Sequence, residues 1–217
     1  MRDPGERGQL AAVLAAAAAG RFPPPDGGVT IVPAPSTRDS GVLGFTAHAV
    51  IFADAGAAWV TARLPAGDLA APLSPAFLRA LCEHTGREMH TIDILATAPA
   101  RPGPPGIALA AEPGRCHPRV ARALRYRDDV LVWRADGGVI VLGRGIAGRW
   151  EVSIEVDPDR RGHGLGRALA AAARHLRPAG TPLWAQISPA NAASVRAFLA
   201  AGFTPVGAEA HLVRPGR

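Results

Sequence analysis

The sequence predicts a chain of the α/β (α+β) class, in which strands and helices are interspersed. Between Glu151 and Leu176 a strand runs directly into a glycine-rich loop and then a helix. Asp136, Gly137 and Gly138 join two apolar runs, and Asp-Gly is a strong hairpin signal. Short β-branched runs bounded by Gly, Pro and Asp clusters recur elsewhere, alternating with segments of helical composition.

Residues 6–20 read as an Ala-rich helix, an N-terminal appendage ending at Gly20, because Pro23, Pro24 and Pro25 block its continuation. Val29 to Val32, Val42 to Phe52 and Ala58 to Leu64 have strand content. Ser74 followed by Pro75 is a cap and first-turn signal for a helix through about His84, closed near Gly86. Thr91 to Ala96 is strand-like. The Pro/Gly stretch from Pro99 to Gly106 supports neither helix nor strand interior and marks the boundary region. We therefore expect an N-terminal region of residues 1–115 and a domain of residues 116–217.

In that domain His117 to Arg125 reads as a short helix, and Val130 to Trp133 and Val139 to Leu142 as the hairpin strands. Glu151 to Val156 is a strand, Leu165 to Leu176 a helix and Leu183 to Ile187 a strand. Asn191 to Ala201 is the last helix; it stops at Gly202, and Phe203 to Val213 returns as a strand or hairpin.

The 217 residues, 48% of them apolar, suffice for one large domain or two small ones. The longest apolar runs are Ala-dominated and fall short of the roughly 20 residues of a membrane span, and no signal-peptide pattern is legible, so a cytoplasmic protein with no membrane partner is expected. Cys82 and Cys116 show neither paired spacing nor histidine ligands, so they are read as reduced structural thiols, without disulfide or metal. The histidines His48, His84, His90 and His117 share no i, i+4 pair. All 24 basic residues are arginine and give a net charge of +6. Such a balance favours anions, but the arginines are scattered without interleaved aromatics, which ranks nucleic acid last among partners. Base-composition bias accounts for most of the missing lysine. A local cluster at Arg160, Arg161, His163 and Arg167 suits a polyphosphate-bearing cofactor.

The loop from Asp157 to Gly166 has the makings of an anion site. Glycines let backbone NH groups approach a phosphate, and a helix N-terminus adds the positive end of its dipole. Arg161-x-x-Gly164-x-Gly166, after a strand ending in Val-x-Pro, resembles the pyrophosphate signature of the GNAT family of acyl-CoA-dependent N-acetyltransferases. Asn191 to Phe203 looks like that family's second motif, so the resemblance covers roughly residues 126–213.

The resemblance implies a GNAT-like mixed, mostly antiparallel sheet flanked by helices, with the strands through Val156 and Ile187 splayed around acetyl-CoA or another acyl-CoA. It places the cofactor against Ile154 and Val156, the loop Arg161, Gly162, His163, Gly164, Leu165, Gly166 and Arg167, and Asn191, Ser194, Arg196 and Phe198. For Asn191, the only asparagine, a simple helix cap is the lesser alternative. The base for an incoming ammonium is sought at Glu151 or Glu155, which share one strand face, Glu151 being preferred; an ion pair with arginine is the alternative for each. Phe198 departs from the tyrosine that protonates the thiolate in many members; Ser194, Ser188 or water could replace it.

Gly143, Gly145 and Gly148 also spell G-x-G-x-x-G, but a strand follows rather than a helix, so they read as a loop between antiparallel strands. Trp59, Trp133, Trp150 and Trp184 fall in strand-like stretches and are assigned to the core, the acceptor cleft being the other reading. Residues 1–115 are either an elaboration or a degenerate second GNAT-like unit. Little chain follows the last helix, so another strand, from the N-terminal half or a homodimer partner, is expected to complete the sheet. The implied activity is acetyl transfer from acetyl-CoA to a primary amine on a small molecule or peptide, by direct attack. A catalytically weak acyl-CoA-binding sensor is the second reading.

Overall fold

The computed structural model describes residues 4–112 and 117–216. Helix α1 (Pro4–Ala18) is followed by strands β1 (Val29–Val32), β2 (Ser40–Phe45) and β3 (His48–Phe52), then α2 (Ala57–Thr61), α3 (Pro75–Thr85), β4 (Glu88–Pro99) and β5 (Ala110–Ala111). After these come α4 (Pro118–Tyr126), β6 (Asp128–Ala135), β7 (Gly138–Arg144), β8 (Trp150–Val156), α5 (Leu165–Ala173), β9 (Pro182–Ile187), α6 (Ala192–Ala200) and β10 (Thr204–Val213). Two compact units result, one of residues 1–94 and 206–217, the other of residues 95–205. The chain thus changes units at Ile94/Leu95 and Pro205/Val206. The expected junction at residue 115 and Cys116 lie outside the described residues.

In the first unit the strands run in the order β1-β3-β2-β10-β4. β1 pairs with β3 in parallel, while β2 is antiparallel to both β3 and β10. Leu10, Leu14 and Ala17 of α1 are buried, on one face at helical spacing. Val42, Ile51, Ala210 and Leu212 from the strands pack with Val60, Phe77, Leu78 and Leu81 from the helices. Two expectations fail here. The single strand Val42 to Phe52 is a hairpin that turns at Thr46 and Ala47, with Ala47 at φ 51°; no glycine, asparagine or aspartate announces the turn. Ala58 to Leu64 is not a strand. The alanine-rich start of that segment forms α2, which buries only Val60 instead of alternating positions, and Trp59 lies on this helix, stacked on His84 at 4.2 Å. α3 follows its cap signals: the Ser74 hydroxyl accepts from Phe77 N, and Gly86 ends the helix at φ 63°.

In the second unit the order is β4-β9-β8-β7-β6-β5. The pairs β5-β6, β6-β7 and β7-β8 are antiparallel and β8-β9 is parallel. Val120 and Ala123 of α4 pack on Val132, Val139 and Val141. Leu165 and Leu169 of α5 close over Gly138. Since successive strand residues face opposite sides, the two helices cover opposite faces of an open, mostly antiparallel sheet. Within this unit the strand on the far side of β9 is β4, where the Thr97 hydroxyl donates to Leu183 O at 2.9 Å. The strand missing after the last helix is thus supplied from earlier in the chain. Among the described residues no helix is long and apolar enough to cross a membrane.

Candidate functional site

The parallel ladder between β8 and β9 consists of Trp150 opposite Leu183 and Glu151 opposite Trp184. Along its other edge β8 is paired with β7 through all seven residues, Trp150 to Val156. From Val152 onward, therefore, β8 keeps its β7 partner while its β9 side leaves the ladder. Unpaired strand amides are obligatory donors that need a partner, and Ile154 and Val156 lie in this stretch, both half-buried.

β8 leads into a turn at Pro158–Arg160 and then the loop. Gly162 and Gly164 have φ values of 82° and 83°, the left-handed region that a side chain resists. Gly164 is also the N-cap of α5 and supplies no side-chain cap, so the first amides of the helix have no such hydrogen bond. Arg161, His163 and Arg167 are exposed around it, while Leu165 and Gly166 are half-buried. Arg161 Nε donates to Val156 O at 3.2 Å, tying the side chain to the end of β8. Arg160 instead pairs with Asp136 at 2.9 Å on the β6-β7 hairpin. Gly166 faces α6: a Cβ there would make ordinary contact with Ala197 Cβ and Val156 Cγ2, both at 3.7 Å. The arrangement can hold an anion beside an unpaired strand edge.

α6 begins at Asn191, whose side-chain oxygen accepts from Ser194 N at 3.0 Å, so it serves as a helix cap. Ser194 is half-buried and Arg196 exposed. Phe198 is 5% exposed and packs edge-on against Phe203 with ring centroids 5.0 Å apart.

The two glutamates of β8 differ. Glu151 is 3% exposed, and its carboxylate accepts from Arg127 Nε and Arg149 Nε, both at 2.9 Å, and from Ile146 N at 3.3 Å. Burial pushes the Arg127 guanidinium below its ordinary value against the pull of Glu151. A carboxylate so occupied is a structural anchor, and the preference for Glu151 as base gives way to Glu155. Glu155 is half-buried and meets only Arg119 Nε, at 3.0 Å, among the contacts found for its carboxylate in the described residues. Arg127 also donates to Ser153 Oγ at 2.8 Å, so the whole Glu151, Ser153, Glu155 face is turned toward arginines. Sequence reasoning missed Arg127 and Arg149. The i, i+2 pair of Arg149 and Glu151 was a legible signal; Arg127, 24 residues away, gave none. The G-x-G-x-x-G stretch is the turn between antiparallel β7 and β8, and Gly145 leaves room for the Glu151 carboxyl.

Trp150 and Trp184 are buried. Arg177 stacks over Trp150 at 4.0 Å and Arg149 over Trp184 at 5.3 Å, which makes both core residues with cationic neighbours. Cys82 is half-buried, its thiol pushed up by burial. Among the described residues no three His, Cys, Asp or Glu side chains converge on a metal site.

A strand that leaves its neighbour, a left-handed glycine loop and a helix with no side-chain cap thus follow one another along this part of the chain. Residues 112–203 match the model of the Acetyltransferase (GNAT) family, and this part of the chain is a domain of that family. Among solved structures the chain is similar to a GCN5-related N-acetyltransferase from Kribbella flavida, with 20% identity over 66% of this chain and 65% of that one and a TM-score of 0.41. It is also similar to a GCN5-related N-acetyltransferase from Sphaerobacter thermophilus, with 15% identity over 64% of this chain and 56% of that one and a TM-score of 0.39. The chain thus spans less than two thirds of either protein. No curated protein matches it.

Proposed function

We propose that the protein is a cytoplasmic N-acetyltransferase that moves an acetyl group from acetyl-CoA to a primary amine by direct attack. The observation that carries this reading is the departure of β8 from its β9 ladder after Glu151, just upstream of a loop that opens an uncapped helix. Acetyl-CoA supplies the activated acetyl group as a thioester. The backbone of Ile154 and Val156 holds its acyl arm, and Arg161, Gly162, His163, Gly164, Leu165, Gly166 and Arg167 hold the pyrophosphate. Asn191, Ser194, Arg196 and Phe198 flank the arm from α6. Glu155 takes the proton of the incoming ammonium, directly or through water. The acceptor is a small-molecule or peptide amine, and the reaction involves neither nucleic acid nor membrane. A homodimer is the proposed assembly.

Phe198 favours a second reading. Packed against Phe203 and lacking a hydroxyl, it cannot protonate a thiolate, as a domain that binds acyl-CoA with little turnover would tolerate. Calorimetric titration of acetyl-CoA into the protein and into an Arg161→Ala, Gly164→Glu double variant tests the site. We expect binding that the variant loses; absence of binding to the unaltered chain would overturn both readings. Amine-dependent thiol release then selects the enzyme, and binding without release selects the sensor.

A further inference from the structure

A second set of reactive side chains stands in the first unit. Parallel pairing sets Thr30 opposite Val50, which places Thr30 and His48 on the same side of the β1-β3 pair. His48 Nδ1 lies 2.8 Å from Asp26 Oδ1, and His48 Nε2 lies 2.8 Å from Thr30 Oγ1. An ionised carboxylate only accepts, so in neutral His48 the ring proton sits on Nδ1 and Nε2 keeps its lone pair. The Thr30 hydroxyl is then the donor to Nε2. This hydroxyl, imidazole and carboxylate series is the arrangement that activates an alcohol for attack.

The three side chains differ in exposure. The His48 side chain is 6% exposed and held from both ends, Asp26 is 51% exposed, and Thr30 faces solvent. The bond from His48, followed by that from Gly28 N at 2.7 Å, holds the Asp26 carboxyl below its usual range, so negative charge faces the ring. Val29 and Ile31 line a cavity of about 250 Å³ in this unit. His48 also lines it, while strand alternation sends the Thr30 side chain to the opposite side of β1, where it is exposed to solvent.

We propose that Thr30 is a nucleophile toward activated carboxylic esters, with His48 as its base and Asp26 as the residue that positions the ring. Thr30 Oγ1 attacks the ester carbonyl carbon while His48 Nε2 takes the hydroxyl proton. The carbon–oxygen bond to the leaving alcohol breaks, the alcohol departs with that proton, and water then releases the acid by the same base. The site is independent of acetyl-CoA.

The test incubates the whole chain with p-nitrophenyl acetate and reads p-nitrophenolate release together with peptide mass spectrometry. We expect an acetyl group on Thr30, absent in Thr30→Val and retained in Thr30→Ser. His48→Gln and Asp26→Asn each slow labelling by at least roughly tenfold, and Asp26→Glu recovers part of the rate, which loss of a merely structural contact would not produce. Asp26 is exposed enough for its variants to stay folded if His48→Gln does not. Unchanged labelling in the Arg161→Ala, Gly164→Glu variant keeps this result separate from the cofactor site. No acetyl on Thr30, acetyl on His48 alone, or equal labelling in Asp26→Asn overturns the proposal.

Discussion

The carboxyl group of Glu151 fills the volume that a side chain on Gly145 would occupy. The turn between β7 and β8 and the anchor of β8 are therefore one packing unit, with Arg127 and Arg149 closing it on the Glu151 oxygens. Gly145→Ala is expected to cost about 1–3 kcal/mol by overpacking. Glu151→Gln leaves two buried guanidiniums short of their counter-charge and costs about 3–5 kcal/mol. Urea midpoints at unchanged slope check both. A stable Glu151→Gln protein with turnover abolished would return Glu151 to the role of base.

At Gly162 and Gly164 the cost of a side chain is conformational, since nothing lies within 4 Å of a Cβ built on either. Each alanine substitution should cost about 1–2 kcal/mol for left-handed backbone. Asparagine, which tolerates that region, should recover part of the loss at Gly164. Denaturant titration gives the stability change, and calorimetry shows whether acetyl-CoA binding falls further than stability does.

Phe198→Tyr would put a hydroxyl into the contact with Phe203. Without a partner for that hydroxyl the variant loses about 1–3 kcal/mol, and turnover stays as it was. Stopped-time assays of thiol release alongside thermal melts separate the outcomes: a gain in rate would mean that the missing proton donor limits the reaction.

Asp39 offers a pH test in the first unit. It is 1% exposed, and burial alone would raise its carboxyl; the bond with His211, the charge of Arg38 and the Ser36 hydroxyl outweigh this and hold it below 3.8. A depressed folded value means that its stabilisation is complete above 3.8 and is lost as pH falls through the lower folded value. Asp39→Asn should therefore be clearly less stable than the parent at neutral pH, with the gap closing below that point. Urea melts across the acid range measure it; a constant gap would show that shape rather than charge matters there.

The strand, glycine loop and helix start of residues 150–167 were legible because their signals are local. Strand, αL glycines, arginine and helix start all lie within residues 150–167, and local signals set local structure. The helix caps at Ser74 and Asn191 were legible for the same reason. The Ala47 turn was invisible because it uses an ordinary residue at positive φ. α2 was misread because an apolar run this short satisfies either period. The placement of β4 beside β9, and the pairing of Arg127 with Glu151, depend on partners far away in sequence, which no window reveals.

The order of synthesis acquires meaning from the position of β10. It lies between β2 and β4 in the first unit, yet is made after all of residues 95–205. On the ribosome, the second unit has its entire sequence available while the sheet begun earlier still lacks the strand between β2 and β4. The exposed edges of β2 and β4 must wait for the final strand, so the nascent first unit is the stage at which a chaperone or a wrong strand would find this chain.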